Sequence, residues 1–211
     1  MKHKTNVRNM SELAILVAIV LIMAYTPLGY LKTPWGVEIT FIVVPIAVGA
    51  VILGPTAGAF LGLVFGLTSF SQCFGGSPMG AMFLQESPVG TFFCCVVLRV
   101  LVGWVPGILY QTMKRFEKTR RIRIGLCCIL TPLLNTLLYI VFNWLIFSDT
   151  WLSISVSSGF TGSKGFSLLT FMLSLVAVNG IAEAVACLIL ATAICKALQK
   201  TVHRNEVYST L

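Results

Sequence analysis

Six long apolar runs, separated by short polar or basic stretches, set the terms for this chain of 211 residues. They fall at about 11–31, 39–53, 55–70, 88–110, 122–147 and 166–195. A helix needs about 20 apolar residues to cross the roughly 30 Å hydrocarbon core of a bilayer. Lipid offers no hydrogen bonds, so a spanning segment must pair its own backbone groups, and a helix does this. The second and third runs are short for that thickness. Gly54-Pro55 separates them, a glycine to end one helix and a proline to open the next. The chain is 57% hydrophobic and only 10% charged, and its mean hydropathy is +0.92. A soluble domain of this length would need more charge to cover its surface. The expected fold is an all-α membrane protein of six transmembrane helices, with residues 1–211 forming one integral domain.

Basic residues set the orientation. The net charge is +8, but no basic stripe with interleaved aromatics exists, so nucleic acid is not the expected partner. Twelve of the fifteen lysines and arginines lie at the two ends or in the stretch 111–123. Only Lys32 and Lys164 lie in the intervening loops on the other side, and Arg99 lies within a run. Cytoplasmic loops carry the excess of Lys and Arg, which places both termini in the cytoplasm. Lys2, Lys4 and Arg8 precede the first run as in a signal peptide. That run is too long for one and no small-residue cleavage site follows, so a retained first helix is expected. The outer loops are then 32–38, 71–87 and 148–165. The last two are long and contain Gly, Ser and aromatic residues, which fits binding loops better than plain connectors.

Catalytic constellations are missing, and the chain is not read as an enzyme. The two histidines, His3 and His203, lie in the tails, and Asp149 is the single aspartate. There is no H-E-x-x-H and no G-x-x-x-x-G-K-[ST], so neither a zinc hydrolase nor a P-loop ATPase is encoded. Seven cysteines are present without a C-x-x-C, and most sit inside apolar runs. They read as small buried side chains, with neither a metal site nor a disulfide framework.

A few polar residues lie inside the runs. Arg99 occupies the middle of the fourth, and Asn135 and Asn143 lie in the fifth. Asn179 and Glu183 are four apart in the sixth and share a helix face. Charges at that depth are costly and face a bundle interior or a wet cavity. Two arrangements fit: the wall of a polar pocket open to the outside, or an Arg99–Glu183 pair that binds the helices together. Asn143, nearer the outer face, is expected to reach a ligand. Gln72 and Lys164, in the outer loops, complete the candidate set. Gly54, Gly58, Gly62 and Gly66 recur every fourth residue and form a stripe that lets another helix approach closely. Ala14-x-x-x-Ala18 is a weaker pattern of the same kind on the first helix.

Several stretches together resemble one family. They are Ile39-Thr40 through Pro45 to Gly54-Pro55, Ala57 to Gly62, Phe65 to Ser69, Leu98 to Gly103, Thr131 with Asn135-Thr136, and Asn179 to Glu183. In this order and spacing the chain resembles the substrate-binding S components of energy-coupling factor (ECF) vitamin transporters. The resemblance implies capture of a vitamin from outside the bacterial plasma membrane, with loops closing over the pocket. It implies partners as well: a transmembrane coupling subunit and two cytoplasmic ATPases, which use the ATP, so this chain binds no cofactor or metal. The resemblance implies further that the whole S component topples in the membrane to deliver its cargo, with Ala14 and Ala18 docking on the coupling subunit. The segment from Ile39 to Ser69 looks most like the pantothenate-type members, although the loop at Ser71–Pro88 departs from their pattern. A carboxylate ligand would suit Arg99, Lys32 or Lys164. Folate, riboflavin, cobalamin, pyridoxine and a thiamin precursor stay open as substrates, and an independent secondary transporter and a structural membrane scaffold are the competing classes.

Overall fold

The computed structural model describes residues 2–27, 29–32, 38–113, 120–157, 170, 173–174, 180–195 and 197. Helices dominate. In chain order they are α1 (Lys2–Tyr25), α2 (Val43–Ile52), α3 (Pro55–Gln72), α4 (Pro78–Glu86), α5 (Pro88–Phe92), α6 (Leu98–Met113), α7 (Arg120–Ile146) and α8 (Ser148–Ser157). A last apolar helix, α9, covers Gly180–Cys195. A π-helical turn, Phe93–Val97, joins α5 to α6. Among the described residues, three helical stretches are long and apolar enough to cross a bilayer: Val7–Tyr25, Pro88–Met113 and Ile122–Ile146.

The structure corrects the expected pattern in three places. The first run stops being helical at Tyr25, because Pro27 has no N–H and bars Thr26 from a helical conformation. Two short strands follow, β1 (Tyr30–Lys32) and β2 (Glu38–Thr40). They pair antiparallel, Tyr30 opposite Thr40 and Lys32 opposite Glu38, so among the described residues this ribbon is the one departure from helical regular structure. The expected loop 71–87 contains α4. Ser77 caps that helix by accepting the Gly80 N–H at 3.4 Å, and Pro78 fills its first turn, where no N–H is needed. The expected loop 148–165 opens with α8, whose first turn carries Asp149 at the favourable end of the helix dipole.

The junction between α2 and α3 follows the sequence reading. Gly54 adopts φ 100°, which suits glycine, and Pro55 opens α3. From there the glycine stripe lies against α6 and the π turn. A Cβ on Gly58 would strike the Gly103 carbonyl, and one on Gly62 the Arg99 carbonyl. One on Gly66 would come within 2.7 Å of the Cys95 carbonyl. Gly103 and Gly107 return the contact toward Gly58 and Pro55. The seam is a backbone-to-backbone contact that no larger residue permits.

Two apolar clusters fill the bundle. Val44, Val48 and Val51 of α2 pack with Tyr110, Ile124, Cys127, Cys128, Cys187 and Cys195. Val20 and Ala24 of α1 pack with Ile42, Ile46, Leu61 and Phe65. These cysteines are buried, as their apolar surroundings require. A third, aromatic cluster sits between α4 and the α7–α8 corner. Phe83 lies 4.6 Å from Phe147 and 6.2 Å from Trp151, ring centre to ring centre. It borders a cavity.

Candidate functional site

Beside that aromatic cluster, six parts of the chain enclose the cavity, of about 130 Å³. One water needs roughly 10–15 Å³ on the same measure, so the space suits an organic molecule. Thr40 enters from the ribbon, and Ser69, Gln72 and Cys73 come from the last turn of α3. Met79, Gly80 and Phe83 project from α4. Thr91, Cys94, Cys95 and Arg99 line one wall; Asn135, Thr136, Tyr139 and Asn143 of α7 line another, with Gly180 and Glu183 of α9 beside them. Mixed apolar and polar walls of this kind are what small-molecule sites use.

Arg99 and Glu183 are the single cation and the single anion among the described residues of the lining. They do not form a contact ion pair. Arg99 stacks its guanidinium 4.3 Å above the Phe65 ring, and its buried Nε has no hydrogen-bond partner among the described residues. The Glu183 carboxylate turns to the ribbon instead, where Oε1 accepts the Thr40 N–H at 2.7 Å. Its second oxygen, Oε2, is buried without a hydrogen-bond partner among the described residues. Arg99 and Asn135 are near enough for both to act on the carboxylate. The two charges share a cavity, and each keeps hydrogen-bonding capacity that a ligand can use. An unsatisfied buried guanidinium or carboxylate is expensive, so a complementary ligand group has a strong incentive to meet it.

The other candidates divide. Gln72 lines the cavity while its amide donates to the Ala24 carbonyl at 2.6 Å, which ties α3 to α1. Asn143 lines it too, but both ends of its amide are used by the protein. Nδ2 donates to the Tyr139 carbonyl at 2.8 Å, and Oδ1 accepts from Trp151 Nε1 at 3.4 Å. Its role is to hold α8 on α7 as much as to face a ligand. Asn179 and Lys164 lie outside the described residues. The sequence reading missed Thr40, Met79, Phe83 and Tyr139. Tyr139 falls four residues after Asn135 and four before Asn143, so helical periodicity would have found it.

Close approach of α7 and α9 brings the wall together. A Cβ on Gly180 would meet the Thr136 side chain at 3.1 Å. The stretches Asn135-Thr136 and Gly180 to Glu183 therefore face each other. These same stretches carried the family resemblance, and residues 8–195 match the family described as "ECF transporter, substrate-specific component". The chain belongs to this family. It is 30% identical over 207 residues to the "Pantothenic acid transporter PanT" of Lactococcus lactis subsp. cremoris, covering 93% of this chain and 96% of that protein. It is 29% identical over 187 residues to the "Pantothenate transporter PanT" of Leuconostoc mesenteroides subsp. mesenteroides, covering 88% and 86%. As a substrate-specific component, the chain is a membrane protein whose task is to bind a transported molecule. Ala14 and Ala18 lie together on an exposed face of α1.

Proposed function

We propose that this chain captures pantothenate from outside the bacterial plasma membrane for uptake driven by separate ATPase subunits. The observation that carries the reading is Arg99, the one cation among the described residues of the cavity wall, with a buried Nε that none of the described residues engages. Pantothenate carries a carboxylate at one end, an amide in the middle and two hydroxyls at the other. Arg99 takes the carboxylate, and Glu183 Oε2 accepts from a hydroxyl or the amide. Asn135 supplies a further polar contact between them. Likeness to two relatives named as pantothenate transporters supports the same substrate.

In this reading the chain crosses the membrane six times with both termini in the cytoplasm, supported by the placement of its basic residues. The cavity then opens outward. Ala14 and Ala18 meet a transmembrane coupling subunit, their small side chains and exposure leaving room for a helix at close range. The deciding experiment is calorimetric titration of the purified chain with pantothenate and with panthenol, which has an alcohol in place of the carboxylate. Pantothenate should saturate one site, and panthenol should bind about a hundredfold more weakly, the effect of roughly 2.7 kcal/mol. No heat with pantothenate, together with a different vitamin retained on the purified protein by mass spectrometry, would overturn the substrate.

A further inference from the structure

The cavity wall holds a second chemistry. Cys73 follows the last turn of α3, and Cys95 lies in the π turn. Their sulfurs are 3.9 Å apart, and both residues line the cavity. The Cys73 sulfur also touches the Ser69 carbonyl at 3.5 Å. It supports α4 as well, since a Cβ on Gly80 would come within 2.8 Å of it. The cysteines of the apolar core contrast with this pair. Cys127, Cys128, Cys187 and Cys195 are buried in the first apolar cluster and do not line this cavity.

We propose that Cys73 and Cys95 are a redox-responsive thiol pair, which closes to a disulfide inside the ligand cavity and switches ligand capture off. The effect on capture rests on the pantothenate reading; formation of the bond does not. A disulfide needs its sulfurs about 2.05 Å apart, so closure draws them together by about 1.9 Å. The oxidant is a small disulfide able to enter the cavity. Cys95 is the more exposed of the two, so its thiolate attacks one sulfur of the oxidant and releases a small thiol, leaving a mixed disulfide. Cys73 then attacks the Cys95 sulfur and displaces the second small thiol. The two protons and two electrons lost by the pair end on the two released thiols. Closure pulls the Cys73 sulfur away from Gly80 and tugs the π turn, which leads directly into the helical turn that carries Arg99.

The test uses the full chain in nanodiscs, treated with bis(2-hydroxyethyl) disulfide, which is no larger than the proposed ligand, and then alkylated. Cleavage on the C-terminal side of Phe83 puts the two cysteines on separate peptides, so mass spectrometry reports a linked pair directly. The expected result is one Cys73–Cys95 link, retained in Cys94→Ser and lost in Cys73→Ser and Cys95→Ser. Oxidation should lower pantothenate affinity at least tenfold, and dithiothreitol should restore it. In Cys95→Ser, which lacks the attacking thiol, the affinity should no longer respond to the oxidant. Absence of the linked peptide, or a link through Cys94, would overturn the proposal; so would a complete link that leaves affinity unchanged. Reduced protein that binds no pantothenate would sink the substrate assignment, while the linked peptide alone would still decide the thiol pair.

Discussion

Along α3, the half from Gly54 to Gly66 and the last turn from Ser69 to Cys73 face the same side of the bundle, yet they do opposite things. In the first half, glycine meets the carbonyls of Gly103, Arg99 and Cys95 with no side chain between them. In the second, the glycines stop, Ser69, Gln72 and Cys73 replace them, and the helices part around a cavity. Arg99 belongs to both regions. Its backbone is gripped by Gly62 in the seam, while its side chain stacks on Phe65 and reaches the cavity. A tight, apolar seam thus fixes the position of a charge whose Nε has no hydrogen-bond partner among the described residues. Rigid support behind an unsatisfied polar group is how a site is preorganised for its ligand.

The comparison breaks most visibly at Gly62. Valine there would drive a branched side chain into the Arg99 carbonyl, and backbone cannot yield as a flexible side chain can. Gly62→Val should cut the monodisperse yield on size exclusion about tenfold or more, with ligand binding lost alongside. Normal yield and normal binding would show that the seam is looser than its geometry. Arg99→Leu acts on the other region. Arg99 makes no contact ion pair, so its removal breaks no direct salt bridge, although Glu183 loses a charge that acts on it across the cavity. Folded yield should stay close to wild type, while pantothenate affinity falls about a hundredfold. Collapse of Arg99→Leu with rescue by a second Glu183→Leu change would instead make the pair a structural one.

Glu183 sharpens the point with a smaller effect. Leucine at 183 leaves the Thr40 N–H without its acceptor, at a cost of about 1–3 kcal/mol. Glu183→Gln keeps an acceptor oxygen for that N–H. Thermal unfolding of the ligand-free protein should therefore place Glu183→Gln well above Glu183→Leu. Equal midpoints would mean that the ribbon does not depend on this bond.

What the sequence made legible follows the physics of each region. Apolar runs announce helices because lipid permits few alternatives, and the helices at Pro88–Met113 and Ile122–Ile146 lie where the fourth and fifth runs predict. The glycine stripe was visible as a stripe, but its partner was not, because close approach is a property of two helices and sequence spacing describes one. Position along a run gives depth, which is why Arg99, Asn135 and Glu183 were seen to share a level. It does not give direction, so the turn of Glu183 toward Thr40 and of Arg99 onto Phe65 stayed hidden. The short elements were lost for another reason. α4 has nine residues and the ribbon three on each side, too few for periodicity to register. Ser77-Pro78 is a start signal for α4, but it sits in a stretch rich in Gly and Ser that reads equally well as a loop.

The smallest effect is expected at Asn143, and it separates support from contact. The residue lines the cavity, so sequence reasoning gave it a ligand hydrogen bond. Its amide is already engaged on both sides, by the Tyr139 carbonyl and by Trp151 Nε1. Trp151 is fully buried, so Asn143→Ala leaves an indole N–H without an acceptor, worth about 1 kcal/mol or somewhat more. If support is the main role, the variant lowers the unfolding midpoint of the ligand-free protein by a few degrees. Affinity then falls only a few-fold, through a looser α8 above the cavity. Asn143→Asp keeps an acceptor for Trp151 and loses the donor to Tyr139, so it should recover part of the midpoint if the indole bond matters more. If Asn143→Ala leaves the midpoint untouched and costs a hundredfold in affinity, the amide belongs to the ligand. The boundary between cavity wall and aromatic cluster would then have to be redrawn to include it.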